Sequence, residues 1–291
     1  MAEKIISSGN IVYGVAYSQN FRNAEYIRVT CIDELELLKG SKYIKAFLNN
    51  SILNTIVSDL KSGKIVLFIG LPCDVYVVKT HLKKLNISTE HLLCVDLICH
   101  GPTYSEIAKE FIDDLEKKYK SKIIKFSVRY KNPYWKPPYL YAQFENKKEY
   151  IKPFYSTSYG TAFMMMSWNS CYDCHFKGNN YMSDITIGDY WGSQEGDNGY
   201  NVFGSSVAFI HTNEGDEFIS SLDNFNIYDA NTKKALEFNP RYTTPTKKTE
   251  KAIIFRNNFK KKGLKYAIRK NMTPKHKIAF LLKCLKTYFH K

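Results

Sequence analysis

The sequence predicts an α/β fold: a mixed, largely parallel sheet with flanking helices, extended at the C-terminus by a basic helical segment. Three observations predict it. Apolar runs of strand length alternate with helical patterns, the order expected of βαβ units. Two of those runs, KIVLFIG (Lys64–Gly70) and LLCVDLICHG (Leu92–Gly101), are continuously apolar, and each precedes a helical pattern. The charge is also unevenly divided: Lys247 to Lys291 carries 15 Lys and Arg against one Glu, whereas the first 246 residues carry 27 of each sign. The whole excess of +14 therefore lies in the final segment, and the chain reads as a neutral α/β domain over 1–246 followed by a basic tail over 247–291.

The elements follow in order. IVYGVAYS (Ile11–Ser18) and EYIRVTC (Glu25–Cys31) are rich in β-branched and aromatic residues and joined by a polar bend, so they form a strand pair. Apolar residues recur at helical spacing from Ile44 to Leu60, and Ser62-Gly63 stops that helix. The strand Lys64–Gly70 leads through Leu71-Pro72 into a helix ending near Leu85. The strand Leu92–Gly101 leads into a helix over Ser105–Tyr119. Ile123–Tyr130 is another strand. YKNPYWKPPYLY (Tyr130–Tyr141) crowds three prolines among its aromatics and cannot be a central strand; a surface loop, a lid or a partner contact are its alternatives. YLYAQF and EYIKPF make an antiparallel pair, and Ser158–Trp168 a helix that delivers Cys171 and Cys174. Ser205–Thr212 is the last strand, with the helical GDEFISSL behind it.

With 44% hydrophobic residues the chain can bury a substantial core, which excludes wholesale disorder. MAEKIISSGN shows no secretory pattern, and no stretch reaches the roughly 18 apolar residues of a membrane span, so a cytoplasmic protein is expected. The tail shows no nucleic-acid-binding motif and the body is neutral, which sets nucleic acid aside. In KHKIAFLLKCLKTYFHK (Lys275–Lys291) the apolar residues fall at helical intervals. An amphipathic helix on an anionic membrane surface, or docked on a partner or on its own domain, fits that pattern.

Seven cysteines, an odd number, argue against a disulfide framework in a reducing compartment. Cys73 and Cys99 each follow or end a strand, where loops of an open parallel sheet line the ligand crevice. With the Cys171-x-x-Cys174 pair they make a four-thiolate set drawn from three segments. Zinc and an iron–sulfur cluster both suit four thiolates; a set spread across a domain core favours the larger cluster. Cys73 at a helix start would be stabilised as thiolate. The competing reading makes Cys73 and Cys99 small buried hydrophobes, and Cys31, Cys94 and Cys284 have no companions.

The segments GSKYIKAF, VLFIGLPCDV, VDLICHGP and CYDCHF…SDITIGDYWG, in this order, resemble the coenzyme F420 hydrogenase/dehydrogenase beta subunit family, in its bacterial, polysaccharide-gene-associated branch. The similarity runs from about Gly9 to His211. It implies a flavin- and iron–sulfur-containing oxidoreductase, with Cys73, Cys99, Cys171 and Cys174 on the [4Fe–4S] positions. It implies an FAD site lined by Gly40-Ser41-Lys42-Tyr43, the Gly70-Leu71-Pro72 turn and the Ser183–Gly188 strand with Asp184. Lys42 would offset phosphate or flavin charge there, and the glycines would allow close approach.

The chain also departs from the family pattern. The amino-terminal ferredoxin-like region is missing, Asp74 stands where Gln is familiar, and Tyr181-Met182 replaces a basic residue. A redox partner protein is therefore expected to exchange electrons with it. His100 could relay protons or be structural; Asp96 and Asp184 read as residues that need buried partners. The alternative is a cofactor-poor or zinc-bound scaffold of a polysaccharide assembly complex.

Overall fold

A computed structural model describes residues 1–178, 180–223 and 225–271. Helix α1 (Ala2–Ser7) leads into the hairpin of β1 (Ile11–Tyr17) and β2 (Ala24–Val29), followed by α2 (Leu35–Leu38) and α3 (Asn50–Lys61). Then come β3 (Val66–Gly70), α4 (Pro72–Lys84), β4 (Leu92–Leu97) and α5 (Ser105–Tyr119). Three strands follow, β5 (Ile123–Tyr130), β6 (Tyr139–Phe144) and β7 (Glu149–Pro153), and α6 (Ser158–Met165) leads to β8 (Ile185–Asp189) and β9 (Ser206–Ile210). Helices α7 (Asn213–Ser220), α8 (Thr232–Phe238), α9 (Pro240–Thr243) and α10 (Glu250–Asn271) complete the described chain.

The main sheet has the order β2-β1-β3-β4-β8-β9. Its four inner strands pair in parallel, and the two edge pairings are antiparallel, which is the mixed, largely parallel α/β sheet expected. Side chains alternate across it: Tyr13, Phe68 and Cys94 enter the larger core with α3, α4 and α5, while Val12, Leu67 and Val95 enter a smaller one with α1 and α7. The second sheet, β5-β6-β7, is antiparallel throughout and closes the larger core with Phe126, Leu140, Phe144 and Tyr150.

Three boundaries differ clearly from the sequence reading. The strand expected through Gly101 ends at Leu97. The helix expected from Ile44 begins at Asn50, because Asn49 caps it through its side chain and Ile44 is held extended by a parallel bridge to Thr103. The helix expected through Trp168 ends at Met165, where Thr103 Oγ1 donates to the Met166 carbonyl at 2.9 Å.

The described part of the basic segment shares the body's core. Phe255, Leu264 and Ala267 of α10 are fully or almost fully buried within the larger cluster. Helix α10 breaks at Gly263 (φ +77°), and the Glu110 carboxylate accepts from Leu264 N at 2.6 Å, capping its second half. The pattern of Lys275–Lys291, and Cys284, lie outside the described residues. Among the described residues no helix is long and apolar enough to cross a membrane.

Candidate functional site

Strand β3 ends at Gly70, and Pro72 opens α4 at its first position, where a missing N–H costs nothing. That places Cys73 in the first turn of the helix. Burial, followed by the Asp74 charge, pushes its thiol up to about 12, with the Cys99 and Cys174 charges adding to the rise; Lys45 opposes. Lys45 Nζ stands 3.7 Å from Cys73 Sγ and pairs with Asp74, whose other oxygen accepts from Tyr26 Oη at 2.8 Å. The negative charge of Asp74, unusual in sequence, is therefore matched by a cation and a hydroxyl.

Cys99 follows β4, in a loop held by two contacts. Gly101 N donates to Cys99 Sγ at 3.3 Å, and Lys177 Nζ donates to the Cys99 carbonyl at 2.7 Å and to the Arg241 carbonyl at 2.6 Å. Burial pushes the Cys99 thiol up to about 11, Lys177 and the Gly101 amide hold it back, and the Cys171 and Cys174 charges push it further. Gly101 must be glycine: its φ is +90°, and a Cβ there would lie 3.0 Å from Cys171 Cβ and 3.1 Å from Ser167 Oγ.

Cys171 closes a short 3-10 turn over Asn169–Cys171, and Cys174 follows it. Arg256 of α10 grips that turn, donating to the Asn169 side chain and to the Ser167 carbonyl while lying over the Tyr104 and Tyr172 rings. Burial raises Cys171, with the Cys73 and Cys174 charges next in size. Each of the four sulfurs thus lies within electrostatic reach of the other three. Among the described residues no group of three or more His, Cys, Asp or Glu stands close enough to hold a single metal ion. Cys94 is buried in β4 and Cys31 is exposed, both apart from this cluster.

Cys73, Cys99 and Cys171 are each held up by burial, and a bound cation would stabilise them as thiolates. The donor set, the amide directed at Cys99 Sγ and the Lys45 and Lys177 cations fit a four-thiolate centre.

The residues expected around a flavin are placed otherwise. Lys42 is buried and its ammonium donates to the carbonyls of Leu38, Lys39 and Gly40 at 2.9, 2.9 and 3.0 Å. Burial lowers its pKa to about 8. Ser41 lies beside Tyr43, which adopts a left-handed backbone (φ 58°) and stacks on Phe163 at 4.4 Å. Gly70 is closed off by Tyr26 Oη, which a Cβ would meet at 2.6 Å, and Gly188 by Ile98 Cδ1, also at 2.6 Å. Pro72 is buried. Asp184 accepts from Cys94 N at 2.6 Å and from Thr212 Oγ1 at 3.2 Å. Among the described residues, the polar groups of Lys42 and Asp184 are thus engaged by the chain itself.

His100 is exposed at its surface, and desolvation of its inner side, then Arg241 and Lys177, lower its pKa, with Asp189 opposing. Asp189 in turn pairs with buried Arg129 at 2.7 Å, whose guanidinium lies over Trp191. Lys45, Lys177, Gly101 and Arg256 were not anticipated as site residues. Gly101 alone had a visible signal, its place two residues after Cys99.

No curated protein matches the chain. Among solved structures, a chain of the F420-reducing [NiFe] hydrogenase complex from Methanosarcina barkeri superposes with a TM-score of 0.50 at 14% identity, covering 76% of this chain and 69% of that one. That likeness is one of fold. Residues 63–234, more than half of the chain, match the family described as the C terminus of the coenzyme F420 hydrogenase/dehydrogenase beta subunit. The protein that carries this cysteine cluster belongs to the coenzyme F420 hydrogenase/dehydrogenase beta subunit family.

Proposed function

We propose that the protein is an electron-transfer oxidoreductase whose iron–sulfur centre is held by Cys73, Cys99, Cys171 and Cys174. The observation that carries this reading is the approach of four thiols from three distant segments, each sensing the charge of the other three. Bound there, a [4Fe–4S] cluster would store and release single electrons.

The chain's own residues do the rest. Cys73 sits in the first turn of α4, where the helix N-terminus favours negative charge, and Lys45 offsets charge on that sulfur. Gly101 N–H bonds Cys99 Sγ, and Lys177 fixes the Cys99 backbone. Each favours added negative charge and so raises the potential of a centre held there. A redox partner protein exchanging the electrons fits the complex in which the structural relative occurs. The motif resemblance supports a place in polysaccharide biosynthesis.

The test is iron, acid-labile sulfide and zinc content after strictly anaerobic purification, with a visible spectrum before and after dithionite. Iron and sulfide with a bleachable band are expected, and both should vanish in the Cys99→Ser/Cys171→Ser double variant. Stoichiometric zinc without iron, or iron retained by the double variant, would overturn the reading; the zinc outcome would favour a scaffold.

A further inference from the structure

The centre of the sheet holds a carboxylate that the cysteine cluster does not use. Asp96 on β4 is fully buried and registers directly against Thr186 of the neighbouring strand β8. Thr186 Oγ1 donates to Asp96 Oδ1 at 2.5 Å, and the same oxygen lies 2.9 Å from His211 Nε2. His211, just beyond β9, is exposed. Side chains of the adjacent strands β4 and β8 and of the residue that follows β9 therefore form an unbroken hydrogen-bonded line from solvent to the sheet interior. Asp96 Oδ2 has no hydrogen-bond partner among the described residues. Ser183 Oγ lies nearby, 3.3 Å from Thr186 Oγ1. A buried carboxylate with one oxygen unpaired is costly as an anion and tolerable as an acid.

We propose that His211, Thr186 and Asp96 form a proton relay that carries one proton between solvent and the sheet interior, where Asp96 holds it as a neutral carboxylic acid. The hydroxyl of Thr186 has one hydrogen, which fixes the direction of the whole line. With Asp96 ionised, Thr186 donates to Asp96, so His211 must donate from Nε2 and keep its lone pair on Nδ1. A proton from water then adds to Nδ1, the Nε2 proton moves to Thr186 Oγ1, and the Thr186 proton moves to Asp96 Oδ1. One proton enters, and the line ends reversed: Asp96 donates to Thr186, Thr186 donates to Nε2, and His211 carries its hydrogen on Nδ1. The tautomer of the exposed ring reports the charge of the buried acid.

The surroundings suit this exchange. Burial raises Asp96 to about 7, against the Thr186 and Ser183 hydroxyls and the Lys177 and Lys79 cations. His211 is lowered by burial and raised by Asp184, which lies 3.6 Å from Lys79. Tyr181 and Tyr242 stack face to face beside it, and Tyr181 also stacks on His211. Both phenols are raised by burial and then by Asp96, so they stay protonated and do not compete for the proton. Tyr181 senses Cys99 and Cys174 as well, so the inner end of the relay shares a field with the cysteine cluster. Service to a redox centre there rests on the function proposed above; the relay does not.

Nitrogen-15 spectra of histidine-labelled protein, recorded from pH 6 to pH 9 without any requirement for iron, test it. The His211 ring should pass from the Nδ1–H tautomer to the Nε2–H tautomer in one step near neutrality. Asp96→Asn should abolish that step, Thr186→Val should leave His211 titrating as an isolated imidazole, and Thr186→Ser should restore the step. An unchanged His211 tautomer across this range in the wild type, which needs no variant to fold, overturns the proposal. So does a tautomer switch that survives Thr186→Val. Because the readout is a ring nitrogen, a protein without iron would sink the cluster assignment and leave this result standing.

Discussion

The Lys42 segment and the Cys99 loop are both glycine-punctuated stretches, each served by a buried lysine, yet the fold uses them in different ways. Around Lys42 the ammonium turns to three carbonyls of the preceding turn, and the remote side chains that arrive, Tyr17 and Tyr159, bond only the Lys42 carbonyl. Around Cys99 the arriving groups meet at a thiol. Gly101 makes room for Cys171, Lys177 reaches across to the Cys99 carbonyl, and Arg256 arrives from α10. The Lys42 charge thus supports a backbone shape, whereas the Cys99 loop gathers reactive groups from other segments. The family match over residues 63–234 includes the Cys99 loop and not Lys42, and the destination of each polar atom separates the two in the same sense.

Gly101→Ala should break the comparison hardest. It forces a side chain into a left-handed backbone and against Cys171 Cβ, costing about 2–4 kcal/mol. Urea denaturation should show that loss, accompanied by loss of iron; full iron loading at wild-type stability would mean that the loop does not need this approach. Lys42→Met comes next. It strands three carbonyls and should cost about 1–3 kcal/mol while leaving iron content unchanged. Loss of iron at unchanged stability would return Lys42 to the site.

A further effect is a slope spread over several pH units. Asp96 is raised to about 7 in the fold from an ordinary value near 3.8. The folded state therefore binds more protons than the unfolded state between those limits. The stability from this group is complete below pH 3.8 and is lost as pH rises through 7. The stability of Asp96→Asn relative to wild type should rise steadily from about pH 4 to about pH 8; a flat difference would show that Asp96 is ordinary in the fold.

Much of this arrangement was legible in the residues. The strand-to-cysteine units at Gly70–Cys73 and Leu97–Cys99 announce parallel strands with reactive ends, because continuous apolar runs and helix openings are local signals. What stayed hidden depends on contacts between remote segments. Ile44 has helical spacing, but Thr103, far along the chain, holds it extended. Asp74 reads in sequence as an isolated charge beside a cofactor, whereas Lys45 and Tyr26 neutralise it in the fold. Lys177 and Arg256 read as ordinary surface cations, since nothing in their neighbourhoods names Cys99 or Asn169 as a partner. The alignment of Asp96 on β4 and Thr186 on β8 with His211 just beyond β9 was likewise unreadable, because register between non-consecutive strands is a property of the assembled sheet.

Helix α10 gives the assembly a temporal order. Its Arg256 follows the three segments that bear the cysteines in the order of synthesis. The turn bearing Cys171 therefore gains this clasp only after every strand of the sheet has been made, and Phe255 seats the clasp in the larger core.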